Sequence, residues 1–434
     1  MMKKIIGGVV GLSLLAWLLT LSTGQLSSMD VWVWRKQLIY WTGLASFLLM
    51  TLIMVLAVRP KWLEKPMGGL DKMYQVHKWA GIWAVSLAVT HYGLKLAKDP
   101  LLWIFEQGVK EPRLKNFLEI FRGSAKDLGE WAVWIFAIMV LIALWKRFPY
   151  HIFRYLHKAM AVFYLVIVFH SIVLTPTQWW LQPAGVLVAL AAVIGAYCAW
   201  LSLTGTIGRS RTYAGHVLTV KKYDADTFEL TCQLPASWRH QAGQFAFLRF
   251  AGLSEPHPFT IASADHADGQ VRFSIKALGD YTADLARTIE IGQQVQVEGP
   301  YGNFTLPKAK AGREQIWIAG GIGVTPFIAW LEALQQQPDK APKTRLYYCV
   351  NNAQEGVFAE RLQQLCAHLP NIKLHIHYSD DEGFLTADKI FAGCGQDVRV
   401  WFCGPYGFSQ ALRNGMRKLG LSTRHFHQEA FQMR

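Results

Sequence analysis

The chain has no C-x-x-C pair, no low-complexity tract and no strong internal repeat. Its six cysteines, at 198, 232, 349, 366, 394 and 403, are scattered, which argues against a disulfide framework and a zinc site. No basic run is interleaved with a recognition element, so the formal net charge of +14 does not point to nucleic acid. No EF-hand loop is present, which argues against direct calcium control. Charge is also scarce in the first half, which long uncharged runs dominate. At 434 residues, two or three domains are expected.

Those uncharged runs are rich in Trp, Leu, Ala and Val. Six can be picked out, at about 5–21, 38–58, 74–94, 131–146, 152–174 and 181–203. Each is close to the roughly 20 residues that cross a bilayer. "MMKK" precedes the first, but no small-x-small cleavage site follows, so we read a retained helix rather than a signal peptide. Composition changes near "SLTGTIGRSRTY", residues 202–213, where short alternating runs with Gly, Pro and charge begin. Basic residues set the orientation. Lys3 and Lys4, then Arg59, Lys61, Lys65 and Lys72, then Lys146, Arg147 and Arg154, then Arg209 and Arg211 all fall on one side of six crossings. That side is expected to be the cytoplasm, with the second half, and the loop of about 95–130 lies outside. Positive-inside loops and anionic lipid account for much of the excess charge.

Polar groups inside a bilayer are costly and mark function. "HKWAGIWAVSLAVTH" places His77 and His91 14 residues apart, and "HKAMAVFYLVIVFH" places His157 and His170 13 apart. Fourteen residues is nearly four helical turns, so each pair shares a face, at levels roughly 20 Å apart. The two helices run in the same direction. His77 and His157 therefore share the cytoplasmic level, and His91 and His170 the outer one. Two histidines at each of two levels is what two bis-imidazole haems require. Gly81, one turn after His77, suits either the approach of a flat macrocycle or close helix packing. His151 has no matching partner and reads as interfacial.

In the second half, "AGHVLTVKKY", "DTFELTCQL", "GQFAFLRF" and "QVRFSIKA" predict a small antiparallel barrel over about 213–306. "HPFTIAS" offers Phe259 as a flat surface and Thr260 as a hydroxyl for a ring system. In "IKALGDYTADL", Lys276 ends a strand and a helix starts near Tyr281, a phosphate-binding arrangement unless Asp280 only caps the helix. "EGPYGNF" is a glycine turn. From about Arg313 strands and helices alternate, as in an α/β nucleotide domain. "QIWIAGGIGVTPF" gives a strand, Gly320, Gly321 and Gly323 for phosphate approach, and a helix near Pro326. It lacks the G-x-G-x-x-G fingerprint. "VRVWFCGPYGF" ends a second strand on Cys403-Gly404-Pro405.

"GGLDKMYQVHKWAG", the histidine pairs, "HPFT", "IKALGDYTADL", "EGPYG", "AGGIGVTPF" and "CGP" occur in an order that resembles the NADPH oxidase and ferric reductase superfamily. The resemblance covers nearly the whole chain. It implies an all-α six-helix membrane domain at 1–205, a β-barrel FAD domain at 206–308 and an α/β NAD(P) domain at 309–434, the last two forming a cytoplasmic ferredoxin-reductase-like module. His77 with His157 would hold an inner b-type haem, and His91 with His170 an outer one. His257, Pro258, Phe259 and Thr260 would contact FAD, with Lys276, Gly279 and Thr282 at its phosphates. Gly320, Gly321, Gly323, Thr325 and Pro326 would hold the nicotinamide nucleotide, with Cys403, Gly404 and Pro405 near its reactive ring. Phe431, in the tail "EAFQMR", would cover the flavin or serve ordinary packing.

The expected activity is a multi-pass, bacterial-type inner-membrane oxidoreductase. It would pass electrons from NADPH or NADH through FAD and two haems to oxygen, giving superoxide, or to a ferric chelate. Lys95 and Arg35 are the cations expected near the outer end. A cytochrome b subunit serving a quinone or a partner protein is the reading from another class. "NNAQEGVF" after "RLYYCV" has no arginine for a 2′-phosphate, and Glu355 would repel one, which favours NADH unless Arg345 folds in. Oligomeric state is open.

Overall fold

The structure, a computed structural model, describes residues 1–106, 116–145, 147–251, 256–308, 314–396 and 398–429. Lys146 and Phe431 lie outside the described residues. The chain forms two compact units, Met1–Ile207 and Gly208–Arg434.

Among the described residues the first unit has six long helices: α1 (Met2–Thr20), α2 (Val31–Ala57), α3 (Leu70–Leu96), α4 (Arg122–Leu144), α5 (Tyr150–Leu174) and α6 (Pro183–Leu203). In a bilayer a helix satisfies its backbone groups internally, which is why apolar runs of this length take this form. All but α3 are long and apolar enough to cross a membrane. Helix α3 falls short because it carries Asp71, Lys72, His77, Lys78, His91 and Lys95. It packs mainly on α2, where buried Ala80 and Ala84 permit close approach and Ser46 Oγ donates to the Ala84 carbonyl at 2.8 Å.

One expectation is corrected. The fourth helix starts at Arg122, not near 131, so the last part of the expected 95–130 loop is helical. Arg122, Lys126, Asp127 and Glu130 masked that start in the sequence. Buried Ala125, Gly129 and Ala132 form its packing stripe.

In the second unit, β1 (Thr212–Lys222), β2 (Thr227–Gln233), β3 (Phe245–Phe250), β4 (His257–Thr260), β5 (Gln270–Lys276) and β6 (Gln294–Tyr301) form one antiparallel sheet. Its order is β4-β3-β6-β1-β2-β5. An isolated bridge between Ile261 and Phe273 brings the two edges together, so the sheet curls into a near-barrel. Val271, Phe273 and Ile275 alternate inward along β5, which is the period-2 pattern of a one-sided core. Helix α7 (Asp280–Thr288) follows β5.

The remaining strands, β7 (Gln315–Gly320), β8 (Thr344–Val350), β9 (Ile372–Tyr378), β10 (Arg399–Cys403) and β11 (Phe426–Glu429), make a parallel sheet in the order β11-β10-β7-β8-β9. Strand β7 is buried along its whole length, as a central parallel strand must be. Helices α8 (Thr325–Gln335), α9 (Ala359–Ala367) and α10 (Tyr406–Lys418) belong to this half. The chain builds outward from β7 through β8 to β9, then returns to start β10 on the other side. The topological switch point, where such sheets bind ligands, lies between β7 and β10.

Candidate functional site

The four histidines meet as two pairs across α3 and α5. The His77 and His157 ring centroids are 5.8 Å apart, and those of His91 and His170 are 6.3 Å apart. An imidazole nitrogen binds a metal at about 2 Å, so two rings on opposite sides of one ion have centroids roughly 6 Å apart. Among the described residues no group of three or more His, Cys, Asp or Glu can hold a metal. Two histidines alone leave a metal undercoordinated. A macrocycle that brings its own equatorial ligands fits this donor set.

The His91 and His170 rings are held in one orientation. His91 Nδ1 lies 2.8 Å from the Ile39 carbonyl, and His170 Nδ1 lies 2.7 Å from the Ala125 carbonyl. A carbonyl only accepts, so each Nδ1 carries the proton and each Nε2 keeps its lone pair for a metal. Two glycines make room for these rings. A Cβ on Gly129 would lie 2.2 Å from His170 Nδ1, and one on Gly43 would lie 3.0 Å from His91 Nδ1. Sequence reasoning singled out Gly81 instead, where a Cβ would meet only Ile53 Cδ1 at 3.9 Å. Close packing therefore does not explain Gly81. At the other level His77 bonds to the Ile53 backbone, and His157 stacks on Phe153 at 5.2 Å.

A cavity of about 940 Å³ opens beside His91 and His170, with Gly43 and Gly129 also on its wall. Its charged lining is Arg35, Lys36, Lys95, Lys98, Arg122 and Lys126 against Asp30 and Glu130. Lys95 forms an ion pair with Glu130, and the Arg35 guanidinium donates to the Lys95 carbonyl at 2.7 Å. The cationic excess suits an anionic group.

On the flavin side, β4 pairs with β3, placing Phe259 opposite Ala246 and Thr260 opposite Phe245. The buried Thr260 hydroxyl has no hydrogen-bond partner among the described residues. An unpartnered buried hydroxyl is what a ring edge with a polar atom would satisfy. The His257 ring stacks on Tyr281 with centroids 3.5 Å apart, and burial pushes the Tyr281 hydroxyl up to about 12. Gly279, not Asp280, is the N-cap of α7. The Thr282 hydroxyl accepts from the Leu278 and Gly279 amides, so it shapes this turn. Lys276 forms a 3.5 Å ion pair with Glu355, so both residues have a protein partner.

On the nucleotide side the two predicted glycine turns abut at the switch point. A Cβ on Gly323 would lie 2.3 Å from the Cys403 carbonyl oxygen, and one on Gly320 would lie 2.8 Å from Pro405 Cδ. Gly321 has φ +55°, the left-handed conformation that favours glycine. Thr325 and Pro326 open α8 as its first two residues. Cys403 is fully buried, and burial pushes its thiol well above the usual range, so it is uncharged at neutral pH. Glu429, which sequence reasoning missed, stands opposite Cys403 on β11. A Cβ on Gly302 would come within 3.0 Å of a Glu429 carboxylate oxygen and of the Phe245 ring. The "EGPYG" turn therefore links the strand facing Thr260 to the strand beside Cys403. Arg345 is the second residue of β8, at the end away from this crevice. It bonds there to Glu314, the Ile390 carbonyl and Cys394. It does not reach a nucleotide ribose at the carboxyl ends of the strands.

Replacing Thr260 by Val is expected to slow flavin reduction about 10-fold, the worth of one good hydrogen bond, without lowering thermal stability. Stopped-flow reduction and a thermal melt check this; a melt shifted with an unchanged rate would contradict it.

Comparison with known proteins matches three stretches of the chain. Residues 42–168 match the ferric reductase like transmembrane component family, 212–305 an FAD-binding domain and 317–414 an oxidoreductase NAD-binding domain. The flavohemoprotein of Bordetella pertussis is 27% identical over 214 residues, 44% of this chain and 52% of that protein. Methane monooxygenase component C of Methylosinus trichosporium is 30% identical over 149 residues, 34% of this chain and 43% of that protein. The chain thus spans about half the length of the curated relatives it matches. The flavohemoglobin structure from Malassezia yamatoensis aligns with a TM-score of 0.49 at 18% identity, over 72% of this chain and 89% of that one. A ferric-reductase-like transmembrane component followed by FAD-binding and NAD-binding domains gives this membrane protein the architecture of the NADPH oxidase / ferric reductase family.

Proposed function

We propose that the protein is a transmembrane NAD(P)H oxidoreductase. It passes electrons from cytoplasmic NAD(P)H through FAD and two b-type haems to an acceptor on the outer side of a bacterial-type inner membrane. The facing of His77 with His157 and of His91 with His170, at metal-bridging separations and two levels, carries this reading. When bound, FAD turns a two-electron hydride into single electrons, which is the only unit that bis-histidine haem iron carries.

The chain's own residues position and insulate. His91 and His170 present Nε2 because Ile39 and Ala125 take the Nδ1 protons. Thr260 offers a hydroxyl, and Phe259 a flat surface, to the flavin. The Gly320–Gly323 and Cys403–Pro405 turns give the nucleotide close backbone approach at the start of α8. No general base is required. Arg345, held at the wrong end of β8, does not serve a 2′-phosphate, which favours NADH over NADPH.

The outer acceptor is oxygen or a ferric chelate. The cations around His91 and His170 favour the anionic chelate, and Lys95, paired with Glu130, is not the group that would attract it. Purified protein reduced by NADH is expected to reduce ferric chelate. Superoxide-dismutase-sensitive cytochrome c reduction with no ferric turnover would instead identify an oxidase.

A further inference from the structure

We propose that Arg361 is a positioning residue for hydride transfer, the centre of an ionic clasp that fixes the nucleotide turn relative to the flavin barrel. This rests on the oxidoreductase reading above. The guanidinium of Arg361, on α9, bonds Glu229 Oε2 on β2 at 2.8 Å and Glu332 Oε1 on α8 at 2.7 Å. Arg272, on β5, pairs with the same Glu332 oxygen. The barrel thus gives one carboxylate and one guanidinium, and so does the α/β half. Two ion pairs cross between them, and the Arg361–Glu332 pair joins the two crossings.

Both carboxylates take a further donor from the barrel. Ser274 Oγ donates to Glu229 at 2.8 Å, and the Ala264 amide donates to Glu332 Oε2 at 3.3 Å. Glu229 is only 8% exposed. Buried paired charges are costly to assemble and contribute little net stability, but they hold one geometry. A planar fork reaching two carboxylates is a geometry that arginine provides and lysine does not.

The clasp sits on the elements that carry the cofactor turns. Strand β5, with Arg272 and Ser274, runs directly into the Leu278–Gly279 turn proposed for the flavin phosphates. Helix α8, with Glu332, begins where the Gly320–Gly323 turn ends. Glu332 is about two turns along α8, roughly 10 Å from its start. The same helix is docked a second time: Trp330 Nε1 donates to the Ala242 carbonyl at 3.0 Å, and its ring stacks on Phe304. Two anchors on one helix fix both its height and its rotation against the barrel. A shift of about 1 Å between hydride donor and acceptor costs on the order of 100-fold in rate.

Full-length protein carrying Arg361→Met, Arg361→Lys or Glu229→Gln tests this by bound flavin, KM for NADH and stopped-flow flavin reduction at saturating NADH. Arg361→Met is expected to keep its flavin and its KM while reduction slows at least about 10-fold. Arg361→Lys, with the charge but not the fork, is expected to recover part of that loss. If Arg361→Met does not fold, the near-isosteric Glu229→Gln reads the same effect. Wild-type rates in the variants overturn the clasp, as does a rate loss fully explained by lost flavin or a raised KM. If flavin in the unaltered protein is not reduced by NADH or NADPH, the oxidoreductase reading falls and the clasp with it.

Discussion

Gly129→Ala is expected to abolish acceptor reduction while leaving flavin reduction by NADH intact. The added Cβ would lie 2.2 Å from His170 Nδ1 and 2.3 Å from Cε1, inside any permitted contact. The imidazole must swing away, and it then loses its bond to the Ala125 carbonyl. Loss of such an orienting partner lowers metal affinity about 10–100-fold, and here the ligand itself is displaced as well. One methyl group should therefore mimic His170→Ala and His91→Ala, removing the outer haem's absorbance and its transfer step. Haem content and flavin reduction, measured on the same preparation, check this. Full haem content in Gly129→Ala would contradict the outer assignment.

Gly323→Ala has the second large effect, on the opposite end of the pathway. Its Cβ would meet the Cys403 carbonyl oxygen at 2.3 Å, the carbonyl carbon at 2.6 Å and the Gly404 amide at 2.9 Å. All three are backbone atoms, so relief requires β7 and β10 to part at the switch point. Overpacking of this kind costs about 1–3 kcal/mol in stability. The functional loss is greater, because a turn displaced by about 1 Å holds the nucleotide out of line and costs on the order of 100-fold. Flavin reduction by NADH should fail, while chemically reduced flavin still passes electrons onward. Normal reduction by NADH would show that this turn does not bind the nucleotide.

The histidine pairs were legible because helical periodicity ties residues 13 and 14 apart to one face, and both partners lie on single unbroken runs. The glycines that seat those rings were not, since Gly43 and Gly129 sit on other helices and meet the imidazoles only after packing. Charge misled the reading of α4. Arg122, Lys126 and Glu130 look like loop residues, yet they face a cavity where charged groups are tolerated. In the second unit, alternation and glycine turns gave the near-barrel, the parallel sheet and the two abutting turns. Long-range pairing hid the rest. Glu429 meets Cys403 only through a parallel strand contact, and Lys276, expected at a phosphate, pairs with Glu355. The Arg361 clasp joins four segments that no local pattern connects.

The most direct test is anaerobic reduction of purified, FAD-loaded protein by NADH, followed through the haem absorbance with no quinol or partner protein added. Two haems per chain, both reduced after the flavin and both showing bis-histidine spectra, are the expected result. Reduced flavin beside haem that stays oxidised, or protein that binds no haem, would contradict a pathway running from the nucleotide turn to His91.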